Sequence, residues 1–195
     1  MLLGLISDSH GEGAAIQRAA AVFRRQRVDA IVHLGDDYDD ILFLQDEPVP
    51  VLAVPGLYCP AYRDPAIPNR RREDLAGVRV LLTHSPKISP HDLPGDGDPQ
   101  ELARQVDLVL YGHTHIPKVH QDGRVWWINP GHLRAYDQRG WPQTLGLLRL
   151  EPPRVEVQII ALASQDVLID RTFTLNQPRA GGSASSGSGE GHESS

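Results

Sequence analysis

Residues 2–6 form a short apolar run that breaks off at Ser7-Asp8-Ser9-His10, and the alanine-rich stretch 14–27 that follows has helical composition. The same grammar then repeats. A second apolar run, 30–34, ends at Gly35-Asp36; residues 41–45 suggest a short helix; and a third run, 49–54, ends at Pro55-Gly56. Residues 78–83 predict a fourth strand ending at His84, 99–105 a helix, and 107–111 a fifth strand ending at Gly112-His113-Thr114-His115. Strands alternating with helices imply a largely parallel sheet. Beyond residue 115 the pattern changes. Residues 118–121 and 125–128 flank Asp122-Gly123, a strong two-residue hairpin signal, and 144–150, 155–161 and 167–175 continue as strands. The expectation is an α/β fold of two packed mixed β-sheets flanked by helices, with the late antiparallel strands contributing to a second sheet packed against the first.

The 195 residues suit one domain with a substantial core, placed at 1–177. Residues 178–195 are dominated by Gly, Ser, Ala and Glu, lack large apolar side chains, and read as a disordered tail. The net charge of −6 argues against a surface built to hold a nucleic-acid backbone. Ser7 to His10 interrupts the first apolar run too early for a signal peptide or a membrane span. A single cysteine, Cys59, permits no internal disulfide and agrees with a cytoplasmic setting.

Each polar cluster follows the carboxyl end of a predicted strand. Asp8 and His10 are two residues apart, Asp36 ends the second strand, His84 the fourth, and His113 and His115 are again two apart. Singly, such residues are more often structural, since strand-end aspartates commonly cap the next helix. Jointly they point to metal, because side-by-side parallel strands bring their carboxyl ends together. A mixed carboxylate and imidazole set suits manganese, iron, zinc or cobalt better than calcium.

The ordered blocks Asp8-Ser9-His10-Gly11, Gly35-Asp36, Leu82-Thr83-His84, Tyr111-Gly112-His113-Thr114-His115 and Asn129-Pro130-Gly131 resemble the calcineurin-like metallophosphoesterases, closest to their small bacterial and archaeal phosphodiesterase branch. The resemblance implies a four-layer αββα sandwich and hydrolysis of phosphate esters, diesters above all, by a dinuclear-metal-activated water. It assigns Asp8, His10 and His115 to one ion, His84 and His113 to a second, and Asp36 as the bridge. Manganese is the first expectation, with iron, zinc, cobalt or nickel as alternatives. The implied partner is a small-molecule phosphate ester, with no membrane; a nuclease remains a third alternative, disfavoured by the acidic chain.

One block departs from the family pattern. Where Gly-Asn-X-Asp supplies an amide ligand to the second ion, this chain has Gly56-Leu57-Tyr58-Cys59, and leucine has no ligating atom. Cys59 as thiolate, Tyr58 as phenolate or hydrogen-bonding group, or an extra water are three ways to fill the gap, and a binding scaffold that keeps the fold is the alternative function. His132, after Asn129-Pro130-Gly131, is a candidate proton donor to the leaving group, and Arg134 a candidate phosphate contact, against solvated loop roles for both. His33 reads as a hydrogen-bonded core histidine and Arg70-Arg71-Arg72 as a solvated charge run. The apolar C-terminal strands offer an edge for a homodimer.

Overall fold

The computed structural model describes residues 1–175; the tail expected at 178–195 lies outside them. Strand β1 (Leu2–Ile6) is followed by helix α1 (Gly13–Gln26), then β2 (Ala30–His33) and a 3-10 segment at Tyr38–Leu44. β3 (Val51–Ala53), a 3-10 turn at Pro60–Arg63, β4 (Arg70–Leu75), β5 (Val78–Thr83), α2 (Pro99–Ala103) and β6 (Leu108–Tyr111) come next. The chain continues as β7 (Lys118–Asp122), β8 (Val125–Asn129), β9 (Thr144–Glu151), β10 (Arg154–Ala161) and β11 (Val167–Thr174).

The strands form a six-stranded sheet in the order β11-β10-β9-β1-β2-β3 and a five-stranded sheet in the order β4-β5-β6-β8-β7. The two expected sheets are present, but the assignment of the late antiparallel strands to the second of them is corrected. β9 pairs antiparallel with β1, placing Leu3 opposite Leu148, so the last three strands extend the first sheet. β5 and β6 belong to the other sheet, where β8 runs parallel to β6 and the hairpin strand β7 is the outer strand. Both sheets are therefore mixed.

Alternation along each strand fixes the layers. Leu3 and Leu5 of β1 face the other sheet and pack in one cluster with Val32, Val80, Leu82, Leu110 and Ile159. Leu2 and Ile6 face outward and are covered by Ala15, Ile16, Ala19 and Phe23 of α1. Gly4 permits this contact, since a Cβ there would stand 2.6 Å from the Phe23 ring. On the outer face of the second sheet Leu81, Val109, Tyr111 and Trp127 pack with Ala103 of α2 and with Val106. The short helix covers little, so this outer layer is thin.

β4 has no counterpart in the apolar pattern. Its residues Arg70 to Asp74 are all charged, yet they pair antiparallel with β5 from Arg70↔Thr83 to Leu75↔Val78. The reading of Arg70-Arg71-Arg72 as solvated is likewise corrected for Arg70. Its side chain is only 2% exposed and its Nη2 lies 2.7 Å from Asp92 Oδ2. No helix among the described residues is long and apolar enough to cross a membrane.

Candidate metal centre

Six of the predicted site residues sit in tight loops at the carboxyl ends of β1, β2, β5 and β6. The backbone there is unusual. Asp8, His10, Asp36, His113 and His115 all have positive φ, at 49°, 49°, 100°, 65° and 58°. Such conformations cost non-glycine residues of order 1–3 kcal/mol each and persist where surrounding structure enforces them. The enforcing contacts are visible. Asp8 N–H donates to Gly35 O at 2.9 Å, and Leu133 N–H to Asp8 O at 3.2 Å.

Ser9 holds the first loop from below. Its hydroxyl donates to Asp40 Oδ2, which also accepts Gly11 N–H at 3.0 Å. His33 Nε2 lies 3.0 Å from Ser9 Oγ while its Nδ1 accepts Gly35 N–H, so the ring is neutral with its proton on Nε2. Burial pushes its pKa down to about 4, against the pull of Asp40, in keeping with that state. The expected core role of His33 is thus met.

Three glycines let the loops approach. A Cβ on Gly112 would stand 2.0 Å from Ser7 Oγ and 2.8 Å from Asp8 Oδ2; on Gly35 it would meet His84 Nδ1 at 2.7 Å; on Gly56 it would meet Asp36 backbone at 2.3 Å. Asn129 ties the last loop by donating through Nδ2 to Gly112 O at 2.9 Å and Thr114 Oγ1 at 3.0 Å.

The side chains converge. Ligand atoms of Asp8, His10 and His115 all lie within 4.8 Å of one another. His115 Nε2 stands 3.2 Å from Asp8 Oδ1 and 3.2 Å from His10 Nε2. The opposite nitrogens are engaged elsewhere. His10 Nδ1 is 2.8 Å from Asp36 Oδ2, and His115 Nδ1 is 2.6 Å from Asp137 Oδ2. With each Nδ1 against a carboxylate, the two Nε2 atoms and a carboxylate oxygen face one another, an arrangement that suits a cation. The donor set therefore fits a divalent transition-metal ion.

His84 and His113 stand beside this group, their rings 5.2 Å apart and edge to face. His84 donates Nδ1–H to Leu34 O at 2.8 Å, leaving Nε2 free on the side of Asp8 Oδ1, 3.9 Å away. His113 N–H donates to both Asp8 oxygens, at 3.1 and 2.9 Å. Burial pushes the Asp8 carboxyl up, but His115, His84 and the Ser7 hydroxyl outweigh it and hold the group ionised below its ordinary value. Burial and the neighbouring His84 lower His113, so its imidazole is neutral and able to ligate.

The altered block begins against the metal-site loops, where Gly56 N–H donates to Asp36 O at 3.1 Å. Leu57, Cys59 and Tyr62 form an apolar cluster, and Cys59 Sγ donates to Gly56 O at 3.2 Å. Cys59 is thus packed and hydrogen-bonded rather than presented as a thiolate, which removes the main argument for it as a ligand. Tyr58 is 77% exposed and stands edge-on to His91.

His132 is 1% exposed and its ring lies 5.4 Å from that of His115. Nε2 is 3.3 Å from Trp141 O and Nδ1 has no hydrogen-bond partner among the described residues. Burial lowers its pKa despite the nearby Asp137. A neutral ring with its proton directed at Trp141 carries no proton on Nδ1, which does not suit the expected donor. Arg134 is exposed, one residue beyond Leu133 and its bond to Asp8. Asp137 had no signal in the sequence: it lies in an irregular polar loop 22 residues from the histidine it binds.

Residues 1–151 match the Calcineurin-like phosphoesterase superfamily domain. The chain is 27% identical over 189 aligned residues to phosphodiesterase YfcE of Escherichia coli, covering 86% of this chain and 96% of that protein. It is 30% identical over 167 residues to a probable metallophosphoesterase of Methanothermobacter thermautotrophicus, covering 82% and 92%. Among solved structures, Yfce, a phosphoesterase from E. coli, superposes with a TM-score of 0.65 at 24% identity, covering 90% of this chain and 100% of that one. Vps29 of Entamoeba histolytica with zinc superposes with a TM-score of 0.62 at 19% identity, covering 90% and 100%. At these identities the superpositions show the fold. From the profile match and the archaeal relative, the chain belongs to the calcineurin-like phosphoesterase superfamily of metal-dependent phosphoester hydrolases.

Proposed function

We propose that this metal-dependent phosphoesterase hydrolyses phosphodiesters at a dinuclear centre, with Asp8, His10 and His115 holding one ion, His84 and His113 the other, and Asp36 shared between them. The observation that carries the reading is the meeting of His10 Nε2 and His115 Nε2 at 3.2 Å beside Asp8 Oδ1. When bound, divalent ions supply positive charge for phosphoryl oxygens and lower the pKa of water. Manganese is the first choice, with iron, zinc, cobalt or nickel as alternatives, because the donors are carboxylate and imidazole.

The chain's own residues then position and orient. Ser7 and Ser9 direct their hydroxyls to Asp8 and Asp40, and Cys59 directs its thiol to Gly56, so water is the nucleophile that fits. Arg134, exposed and next in the chain to Leu133, is the residue we assign to charge-assisted bonds with a substrate phosphate. His132, buried beside the His115 ring, is read as packing behind that ligand rather than as a group that touches substrate. Diester preference rests on the likeness to YfcE, which is named a phosphodiesterase. A small ester in the cytoplasm, favoured over nucleic acid by the net charge of −6, completes the reading. The β11 edge, with Val167 and Leu168 exposed, is the surface proposed for a second copy.

Leu57 favours a second reading, a scaffold of this fold with weakened turnover, since its side chain replaces the amide ligand of the family pattern. Hydrolysis of bis-p-nitrophenyl phosphate and p-nitrophenyl phosphate by stripped protein reloaded with manganese separates the two. The enzyme predicts metal-dependent turnover, faster on the diester and lost in Asp36→Asn. No turnover with any of the five metals sinks it and favours the scaffold.

A further inference from the structure

Asp137 and Ser7 make the two shortest contacts to the six proposed ligands from outside their own set, Ser7 Oγ to Asp8 and Asp137 to His115, each at 2.6 Å. Asp137 reaches His115 Nδ1 through Oδ2, and its side chain is only 1% exposed although the surrounding loop is polar. Arg139 fixes the carboxylate from the other side. Its backbone N–H donates to Oδ1 at 2.8 Å and its Nη1 to Oδ2 at 2.9 Å.

The loop that carries Asp137 is itself tied to the metal-site loops. Ala135 N–H donates to Glu12 Oε1 at 3.2 Å, Leu133 N–H to Asp8 O at 3.2 Å, and Thr144 N–H to His132 O at 2.8 Å. The carboxylate therefore comes from an anchored loop. Only one His115 nitrogen faces Asp8 and His10, and it is the one Asp137 does not touch.

We infer that Asp137, clamped by Arg139, is a positioning residue that holds the His115 proton on Nδ1 and aims Nε2 at the metal. A carboxylate on the far nitrogen of a ligating imidazole fixes its tautomer and ring orientation and raises its basicity, and losing such a partner typically costs about 10–100-fold in metal affinity. The inference rests on His115 being a ligand, as proposed above, and concerns affinity rather than the identity of the ester.

The test is zinc and manganese binding by calorimetry on full-length protein and on Asp137→Ala, Asp137→Asn and Asp137→Glu, each checked for folding by circular dichroism. Asp137→Ala is expected to bind about 10–100-fold more weakly, and Asp137→Glu to recover part of the loss. Long-range proton–nitrogen spectra of the zinc-loaded protein are expected to show the His115 proton on Nδ1, with a downfield resonance that disappears in Asp137→Ala. Wild-type affinity in folded Asp137→Ala, or a His115 proton on Nε2, overturns the inference while leaving diester turnover untouched. A wild-type protein that takes up neither ion overturns the inference together with the metal assignment beneath it.

Discussion

His10 and His115 face each other through Nε2 at 3.2 Å, each with its Nδ1 on a carboxylate, Asp36 and Asp137 respectively. Two imidazole nitrogens at that spacing are held by either a shared proton or a cation, and a divalent ion supplies the stronger of the two. Divalent metal is therefore expected to stabilise the fold. At a free concentration 100 times its dissociation constant, the gain is about 2.7 kcal/mol, seen as a rise of several degrees in the melting temperature. His115→Ala should show a smaller metal-dependent rise than wild type, what remains coming from the ion assigned to His84, His113 and Asp36; a rise undiminished in the variant contradicts this.

Gly112 is fixed by contact rather than by backbone angle, because an added Cβ would fall 2.0 Å from Ser7 Oγ and 2.8 Å from Asp8 Oδ2. Gly112→Ala should displace both side chains, costing about 1–3 kcal/mol of stability from overpacking. Metal affinity should fall with it. Urea unfolding and metal titration of the variant measure the two effects separately.

Leu57 is 5% exposed and packs with Cys59 and Tyr62 where the family pattern has an amide ligand. Leu57→Asn is expected to tighten binding of a second ion. It should also cost about 1–3 kcal/mol, because a buried amide loses water and, without metal, gains no full set of partners. Denaturation with and without manganese should show the cost shrinking as the ion binds.

Arg79 grips Asp107 with Nε at 3.0 Å and Nη2 at 2.7 Å, joining β5 to the start of β6. Burial pushes the Asp107 carboxyl up, but the Arg79 fork and the Arg79 N–H pull it below its ordinary value of 3.8. A depressed carboxyl stabilises above that value and loses its contribution as the pH falls through the folded one. Asp107→Asn should cost about 1.5–3 kcal/mol at neutral pH. The difference from wild type should narrow as the pH drops below 3.8, read by urea denaturation across the acid range.

The six proposed ligands were legible because each lies in the short polar loop just beyond an apolar run, and a strand's carboxyl end in a parallel arrangement is where side chains meet. β4 was hidden. Its five charged residues earn their strand conformation from pairing with β5 and from the burial of Arg70 against Asp92 and Asp96, contacts 22 and 26 residues away that no local pattern reports. The division of strands between the sheets was hidden for a similar reason: the pairing of β9 with β1 spans nearly the whole domain. Cys59 has ligand chemistry in the sequence, but its thiol bonds to a carbonyl three residues back. Asp137 and Trp141 reach His115 and His132 from a loop whose path the sequence does not encode in any periodicity.

The central claim is a dinuclear phosphodiesterase that tolerates Leu57, and manganese stoichiometry measured alongside turnover of bis-p-nitrophenyl phosphate tests it most directly. The account predicts that activity reaches its maximum only as a second ion per chain is bound, and that Asp36→Asn abolishes it. Full activity at one ion per chain would contradict the dinuclear centre, and two bound ions without turnover would contradict the enzyme.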